Sequence, residues 1–177
     1  MSNIWFTSDT HFGHENIIKY CERPFKDYKE MDETIIKNWN ERVADEDVVY
    51  FLGDFCFKKS KEAPTGNVFE YYRKQLKGDI IFIQGNHDRN NSTKTPIQSI
   101  LIKYGGNKIL LIHNIDGVTK FYPLILCGHV HEKWQFKKLH AGSIVCNVGG
   151  DVWGFKPISI NEILSEKAQW LKLKENK

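Results

Sequence analysis

The run Asp79-Ile80-Ile81-Phe82-Ile83-Gln84 passes directly into Gly85-Asn86-His87-Asp88. Its β-branched and aromatic bias is that of a buried strand, which Gly85 ends. In α/β proteins ligands gather where buried strands end. This end carries an amide oxygen on Asn86, an imidazole on His87 and a carboxylate on Asp88. A single Asn-His-Asp cluster reads equally well as a turn. Four other apolar runs that end the same way give it weight.

Upstream, Ile4-Trp5-Phe6-Thr7-Ser8 runs into Asp9-Thr10-His11, and Val48-Val49-Tyr50-Phe51-Leu52 into Gly53-Asp54. Downstream, Lys108-Ile109-Leu110-Leu111-Ile112 runs into His113-Asn114, and Leu124-Ile125-Leu126-Cys127 into Gly128-His129-Val130-His131. In extended chain, residues i and i+2 share a side. Asp9 with His11, and His129 with His131, therefore converge if the strand conformation continues past the apolar run.

Between these strands the 3.6-residue period marks helices. Residues 16–20 form a short one, broken at Arg23-Pro24-Phe25. Residues 31–43 form a longer one with Met31, Ile35, Ile36, Trp39 and Val43 inward, and Asp32 and Glu33 suit its N-terminus. That helix reads as scaffold without chemistry. Residues 67–77 form another, capped by Asn67 and stopped by Gly78. Residues 97–104 fit either a short helix or a strand, and Gly105-Gly106-Asn107 reads as a turn, possible as a hairpin. Residues 142–148 and 157–160 read as strands. A last helix, capped by Ser159 or Asn161, extends to about Lys174 with Ile163, Leu164, Ala168 and Leu171 inward. Lys58, Lys59 and Lys61 lie in a loop that reads as solvated, with contact to a substrate phosphate as the sharper alternative, and residues 90–93 form a polar loop.

A chain of 177 residues fits one domain, residues 1–177, with length for a sizeable core. The net charge of +3 tolerates a phosphate-bearing substrate and is too small to imply stable nucleic-acid binding. Cys21, Cys56, Cys127 and Cys146 form no C-x-x-C pair, so a zinc ribbon is not expected, and buried free thiols are. The start lacks a basic segment before its first strand, and no apolar run approaches the ~20 residues of a membrane span. A cytoplasmic protein with no membrane partner is the expectation. Oligomeric state is not legible.

The strand ends together carry oxygen and nitrogen donors without a thiolate. Such a set suits manganese, iron, zinc or nickel. One ion needs about four ligands, and there are enough here for two ions sharing a carboxylate.

The ordered series Asp9-x-His11, Gly53-Asp54, Gly85-Asn86-His87-Asp88, His113 and Gly128-His129-x-His131 resembles the calcineurin-like metallophosphoesterase superfamily, particularly its small bacterial and phage members. The resemblance covers residues 4 to about 131, and Asn147-Val148-Gly149 and Pro157-Ile158-Ser159 are also similar. Each block alone is weak; all five in order are specific. The resemblance implies an α/β fold, a double β-sheet sandwich flanked by helices in four αββα layers. It implies two divalent metal ions, manganese first, with iron, nickel or zinc as alternatives. Asp9, His11 and His131 would hold one ion, Asn86, His113 and His129 the other, and Asp54 would bridge them. His113 lies where the family block is loosest. The implied reaction is in-line attack on phosphorus by a metal-bound hydroxide, with His87 as general acid. Asp88 is the candidate partner of the His87 imidazolium, by adjacency. The substrate would be a small phosphate ester, of nucleotide type among others. A phosphodiester is favoured because no block of arginines stands ready to clamp a dianion. The alternatives are a phosphomonoesterase and a binding scaffold that retains the metal site. His14, Arg23 and Trp153 read first as structural and second as walls of the substrate pocket. His140 falls outside every block and reads as a surface histidine.

Overall fold

The computed structural model describes residues 2–57, 67–88 and 95–175. Lys58, Lys59, Lys61 and the polar loop at 90–93 lie outside the described residues. In chain order the elements are β1 (Ile4–Thr7), α1 (Glu15–Tyr20), α2 (Tyr28–Asn40), β2 (Val48–Phe51), α3 (Val68–Arg73), β3 (Asp79–Phe82), β4 (Ser99–Tyr104), β5 (Asn107–Ile112), β6 (Leu124–Cys127), β7 (Phe136–Lys138), β8 (Ile144–Asn147), β9 (Ile158–Ser159) and α4 (Ile160–Glu175).

Two sheets form. The first has the order β3-β2-β1-β9 and the second β4-β5-β6-β8-β7. β1, β2 and β3 run parallel, as do β5, β6 and β8, while β9, β4 and β7 run antiparallel to their neighbours. Side chains alternate faces with the period of two that strands impose. Val49 and Phe51 pack with α1, α2 and α3, whereas Phe6 and Leu52 face the second sheet. Ile109, Leu111, Leu124, Leu126, Ile144 and Cys146 answer them from across the interface. Leu110, Ile125, Cys127 and Val145 point the other way, covered by Ile115, Val118, Tyr122, Trp134 and Leu139. The expected two-sheet sandwich flanked by helices is therefore present. No helix among the described residues is long and apolar enough to cross a membrane.

Several local readings change. Residues 99–104 are a strand, paired along its length with β5 through the turn at Gly105 and Gly106. Both glycines have positive φ, as a tight hairpin turn requires. α2 begins at Tyr28, where Asp27 accepts the Glu30 amide. Asp32 is thus not a first-turn acid but a buried one inside the helix. β7 was not expected from the sequence, being only three residues with two exposed lysines. Ser159, not Asn161, caps α4: its hydroxyl accepts the Glu162 amide and the Glu162 carboxylate accepts the Ser159 amide, a reciprocal capping box. The inward face of α4 is Ile163, Trp170 and Leu171, while Leu164 and Ala168 are exposed. Trp170, which the expected face omitted, packs against the second sheet's core and supplies a larger apolar surface than Leu164 or Ala168.

Candidate metal centre

The parallel strands of both sheets deliver their C-terminal ends to one seam. β1 leads to Asp9 and His11, β2 to Asp54, β3 to Asn86, β5 to His113, and β6 to His129 and His131. Backbone bonds tie these ends together: the Asp9 amide donates to Gly53 O at 3.0 Å, His11 N to Asp54 O at 3.1 Å, and Gly128 N to His113 O at 3.0 Å.

The donors converge by a different route from the extended one expected. Among the described residues seven non-glycine residues have positive φ, and five of them are Asp9 (57°), His11 (49°), Asp54 (60°), His129 (71°) and His131 (49°). Left-handed backbone costs a non-glycine residue ~1–2 kcal/mol. It persists where the surroundings over-determine it, and such residues cluster at functional sites. Here the chain turns sharply at each donor and folds the side chain back over the seam. Close approach is needed as well. A Cβ on Gly85 would overlap the Asp54 carboxylate, and one on Gly128 would sit 2.5 Å from Asp9 Oδ2.

Asp54 stands at the centre and is buried. Its Oδ2 lies 3.4 Å from His113 Nε2 and 3.7 Å from His11 Nε2. Burial raises the pKa of this carboxyl, but the hydrogen bond and charge of His113, the charge of His11 and the His87 amide outweigh burial and bring it down to about 2. It is an anion at every physiological pH. His113 Nδ1 is 2.7 Å from Leu52 O, so it carries the proton and donates, which leaves Nε2 to face the seam. That Nε2 is 2.9 Å from Asn86 Oδ1, and His129 Nδ1 is also 2.9 Å from the same oxygen. Asn86, His113, His129 and Asp54 thus form one donor group.

The second group is Asp9, His11 and His131 with Asp54. Asp9 Oδ1 lies 3.9 Å from His131 Nε2, and the His11 and His131 rings stack at 5.2 Å. Candidate ligand atoms of Asp9, His11 and His131 all lie within 4.8 Å of one another, as do those of Asp9, Asp54 and His113. His11 Nε2 is buried without a hydrogen-bond partner. Leaving such an atom unsatisfied costs ~1–3 kcal/mol, and a cation held with Asp54 and Asp9 would satisfy it. Burial drives the His11 pKa well below its usual value, against the raising pull of the Asp54 carboxylate. Donor chemistry, burial and the orphaned nitrogen together fit divalent metal.

His87 lies at the rim with its side chain 63% exposed and Nε2 4.0 Å from Asp54 Oδ2. Its backbone amide donates to Asp54 Oδ1 at 2.9 Å. The Asp88 carboxylate points elsewhere, accepting the amides of Asp54 (2.9 Å), Phe55 (3.2 Å) and Gly85 (2.8 Å). It braces the loop that presents Asp54, a role that adjacency to His87 did not reveal.

Arg23 takes the first of its two readings, a structural one, while its partner Asp151 escaped the sequence reading. Its guanidinium is fully buried, donates to both Asp151 oxygens at 2.8 Å, and reaches Asp9 O at 2.7 Å and Thr10 O at 3.1 Å. Asp151 Oδ2 lies 3.3 Å from His131 Nδ1, orienting that ring with Nε2 toward Asp9. The Cys21 thiol adjoins the same pair, a third close group of metal-ligating types. Asn147 Nδ2 donates to His131 O at 2.7 Å, and Trp153 Nε1 donates to Asn147 O at 2.6 Å, so Trp153 supports the loop, the first of its two readings. His14 does lie beside the seam, its ring 5.8 Å from that of His11. His140 is exposed. On the His113 side a cleft of 380 Å³ opens, lined by Gln84, Gly85, Asn86, Gln98, Ile112, His113 and Asn114.

Known proteins resemble this chain in sequence and in fold. A Methanocaldococcus jannaschii protein, MJ1445, is 41% identical over 170 residues, covering 93% of this chain and 90% of its own. Gene 66 protein of Mycobacterium phage L5 is 35% identical over 89 residues, 50% of this chain and 41% of its own. The crystal structure of AQ665 from Aquifex aeolicus superimposes with a TM-score of 0.69 at 26% identity, over 93% of this chain and 99% of that one. The family model of the calcineurin-like phosphoesterase superfamily domain matches residues 3–157, a span that holds every donor of the seam. The chain belongs to the calcineurin-like phosphoesterase superfamily.

Proposed function

We propose that this single-domain chain is a metal-dependent phosphoesterase that hydrolyses a small phosphodiester at a dinuclear centre. The observation that carries the reading is the seam itself, where Asp54 stands between two groups of nitrogen and oxygen donors contributed by both sheets. Asn86, His113 and His129 would hold one divalent cation, Asp9, His11 and His131 the other, and Asp54 would touch both. Manganese suits the set first, and iron, nickel and zinc are also compatible with it. When bound, such a pair supplies Lewis acidity to a phosphoryl group and to water.

The remaining chemistry belongs to the chain. His87 is exposed at the rim and within 4.0 Å of the Asp54 carboxylate, so it is open to substrate and close to the seam. It gives its proton to the leaving oxygen as water oxygen adds to phosphorus. Asp88 fixes the backbone of both loops that frame this step. Arg23 and Asp151 hold His131 in register.

Two features support a diester. The Arg23 guanidinium is buried against Asp151 and cannot clamp a dianionic phosphate. The cleft beside His113 is lined by the carboxamides of Gln84, Asn86, Gln98 and Asn114, which are neutral. Cytoplasmic residence is part of the same proposal and is supported by Cys21, Cys127 and Cys146, buried thiols that form no disulfide among the described residues.

The test is hydrolysis of bis-p-nitrophenyl phosphate and p-nitrophenyl phosphate side by side, after chelation and with manganese restored. The expected outcome is metal-dependent cleavage of the diester in preference to the monoester. Preference for the monoester would make the protein a phosphatase. Cleavage of neither, with two ions verified bound for each of the four metals, would make it a binding scaffold.

A further inference from the structure

The seam does not end at its donors. From His11 a line of rings runs outward: His11 to His14 at 5.8 Å between centroids, then His14 to Phe57 at 4.4 Å with planes 13° apart. Tyr20 stands edge-on to His14 at 6.4 Å. His87 also adjoins His11, at 5.6 Å between centroids. These residues come from separate parts of the chain. His14 and Tyr20 belong to the start and end of α1, and Phe57 follows β2.

Scattered exposed apolar side chains need no explanation. These two are not scattered. Phe57 is 42% exposed and Tyr20 71% exposed, yet both rings are placed around one imidazole that itself adjoins a candidate ligand. Partly exposed aromatic rings bind planar rings by stacking, with little demand on hydrogen-bond pattern. The cleft lined by Gln84, Gln98 and His113 opens beside the seam with none of the His14, Phe57 and Tyr20 rings in its lining. A diester bound at the centre has two substituents, and the two flanks offer them different surfaces.

We propose that His14, Phe57 and Tyr20 form a subsite for the planar aromatic ring of the substrate, a nucleobase-like heterocycle carried on the phosphate ester. The inference rests on the phosphoesterase reading, because a phosphate anchored at the seam is what brings the ring to this flank. His14 spaces the platform from the centre, Phe57 offers the stacking face, and Tyr20 closes the edge.

The test is isothermal titration of the manganese-loaded full chain with two monoanionic diester mimics that cannot be hydrolysed, a methylphosphinate joined through carbon to the 5′ position of adenosine and the corresponding ribose methylphosphinate without a base. The adenosine probe is expected to bind wild type at least several-fold more tightly than the ribose probe. Phe57→Ala should weaken the adenosine probe by roughly 5- to 100-fold, the range of one base–aromatic stack, while the ribose probe moves less than about twofold. Tyr20→Ala should act in the same direction and less. Phe57→Tyr, which keeps the ring, should retain the preference, and Phe57→Leu, which keeps apolar bulk without it, should not. Equal affinity of the two probes for wild type, or equal loss of both in Phe57→Ala, would overturn the subsite while leaving the phosphoesterase reading intact. Binding of neither probe to protein with two ions bound would overturn both.

Discussion

Asp54 is the residue on which the centre turns. It is buried, faces imidazoles of both donor groups and accepts the His87 amide. Asp54→Asn keeps the shape and removes the charge, so metal content measured after dialysis should fall at both positions, with the far-ultraviolet circular dichroism unchanged. Two tightly held ions in that variant would show that Asp54 is not shared. His87 is the contrasting case. Its ring is exposed and makes no claim on the fold, so His87→Asn should lower kcat by about 10²- to 10⁴-fold, the usual worth of a positioned proton donor, with metal content near wild type. Loss of one ion would place His87 among the ligands. At this scale the sequence was informative where a residue type stood at a strand end, and silent where partners were distant. Arg23 and Asp151 are separated by 128 positions, and nothing in either local pattern announces their contact. The left-handed backbone at Asp9, His11, Asp54, His129 and His131 was equally hidden, because aspartate and histidine tolerate that conformation without requiring it.

At the scale of elements, α2 shows how a scaffold helix reaches the site. Its apolar face was legible from the spacing of Met31, Ile35 and Trp39, all buried. Its polar contribution was not. Asp32 accepts the Gly13 amide with both oxygens, at 3.2 and 3.0 Å, and the Tyr72 hydroxyl at 2.7 Å, joining α2 and α3 to the loop that follows His11. Burial raises its pKa to about 7, against the lowering effect of those hydrogen bonds. Between the ordinary carboxyl value of 3.8 and about 7 the folded state holds a proton that the unfolded chain has released. Stability from this group is therefore present at acid pH and declines as pH rises to about 7, by at most ~1.4 kcal/mol per pH unit. Asp32→Asn cannot titrate. Denaturation of both proteins in chelator at intervals from pH 4 to 8 should show the variant gaining relative to wild type as pH rises. Parallel curves would mean that Asp32 is ionised in the fold across the whole range.

For the whole molecule, the seam joins two sheets. Asp9, His11, Asp54 and Asn86 follow strands of the first, and His113, His129 and His131 follow strands of the second. The strands themselves were legible as apolar runs, but their division between two sheets was implied only by the resemblance, since pairing partners are set by contacts far apart in sequence. Ions that bind the folded seam stabilise it by linkage, ~2.7 kcal/mol per site at a hundredfold excess over Kd. In a domain of this size each kcal/mol moves Tm by roughly 2–4 °C. Chelation should thus lower Tm by about 5–20 °C, and Asp54→Asn should lose most of that response. A Tm indifferent to chelator would argue against ions held between the sheets.

The β4–β5 hairpin sits at the other end of this architecture. Gly105 and Gly106 turn the chain where added side-chain atoms would meet nothing within 4 Å. From there β5 runs six residues to Ile112, about 20 Å of extended chain, before His113 enters the seam. The tip is rigidly attached to a donor yet remote from it. A peptide tag or fluorophore-bearing insert spliced between the two glycines would ride on the same strand as His113 and leave the chemistry untouched. That makes the hairpin a natural handle for immobilising the protein, or for watching single molecules as they load and release their cargo.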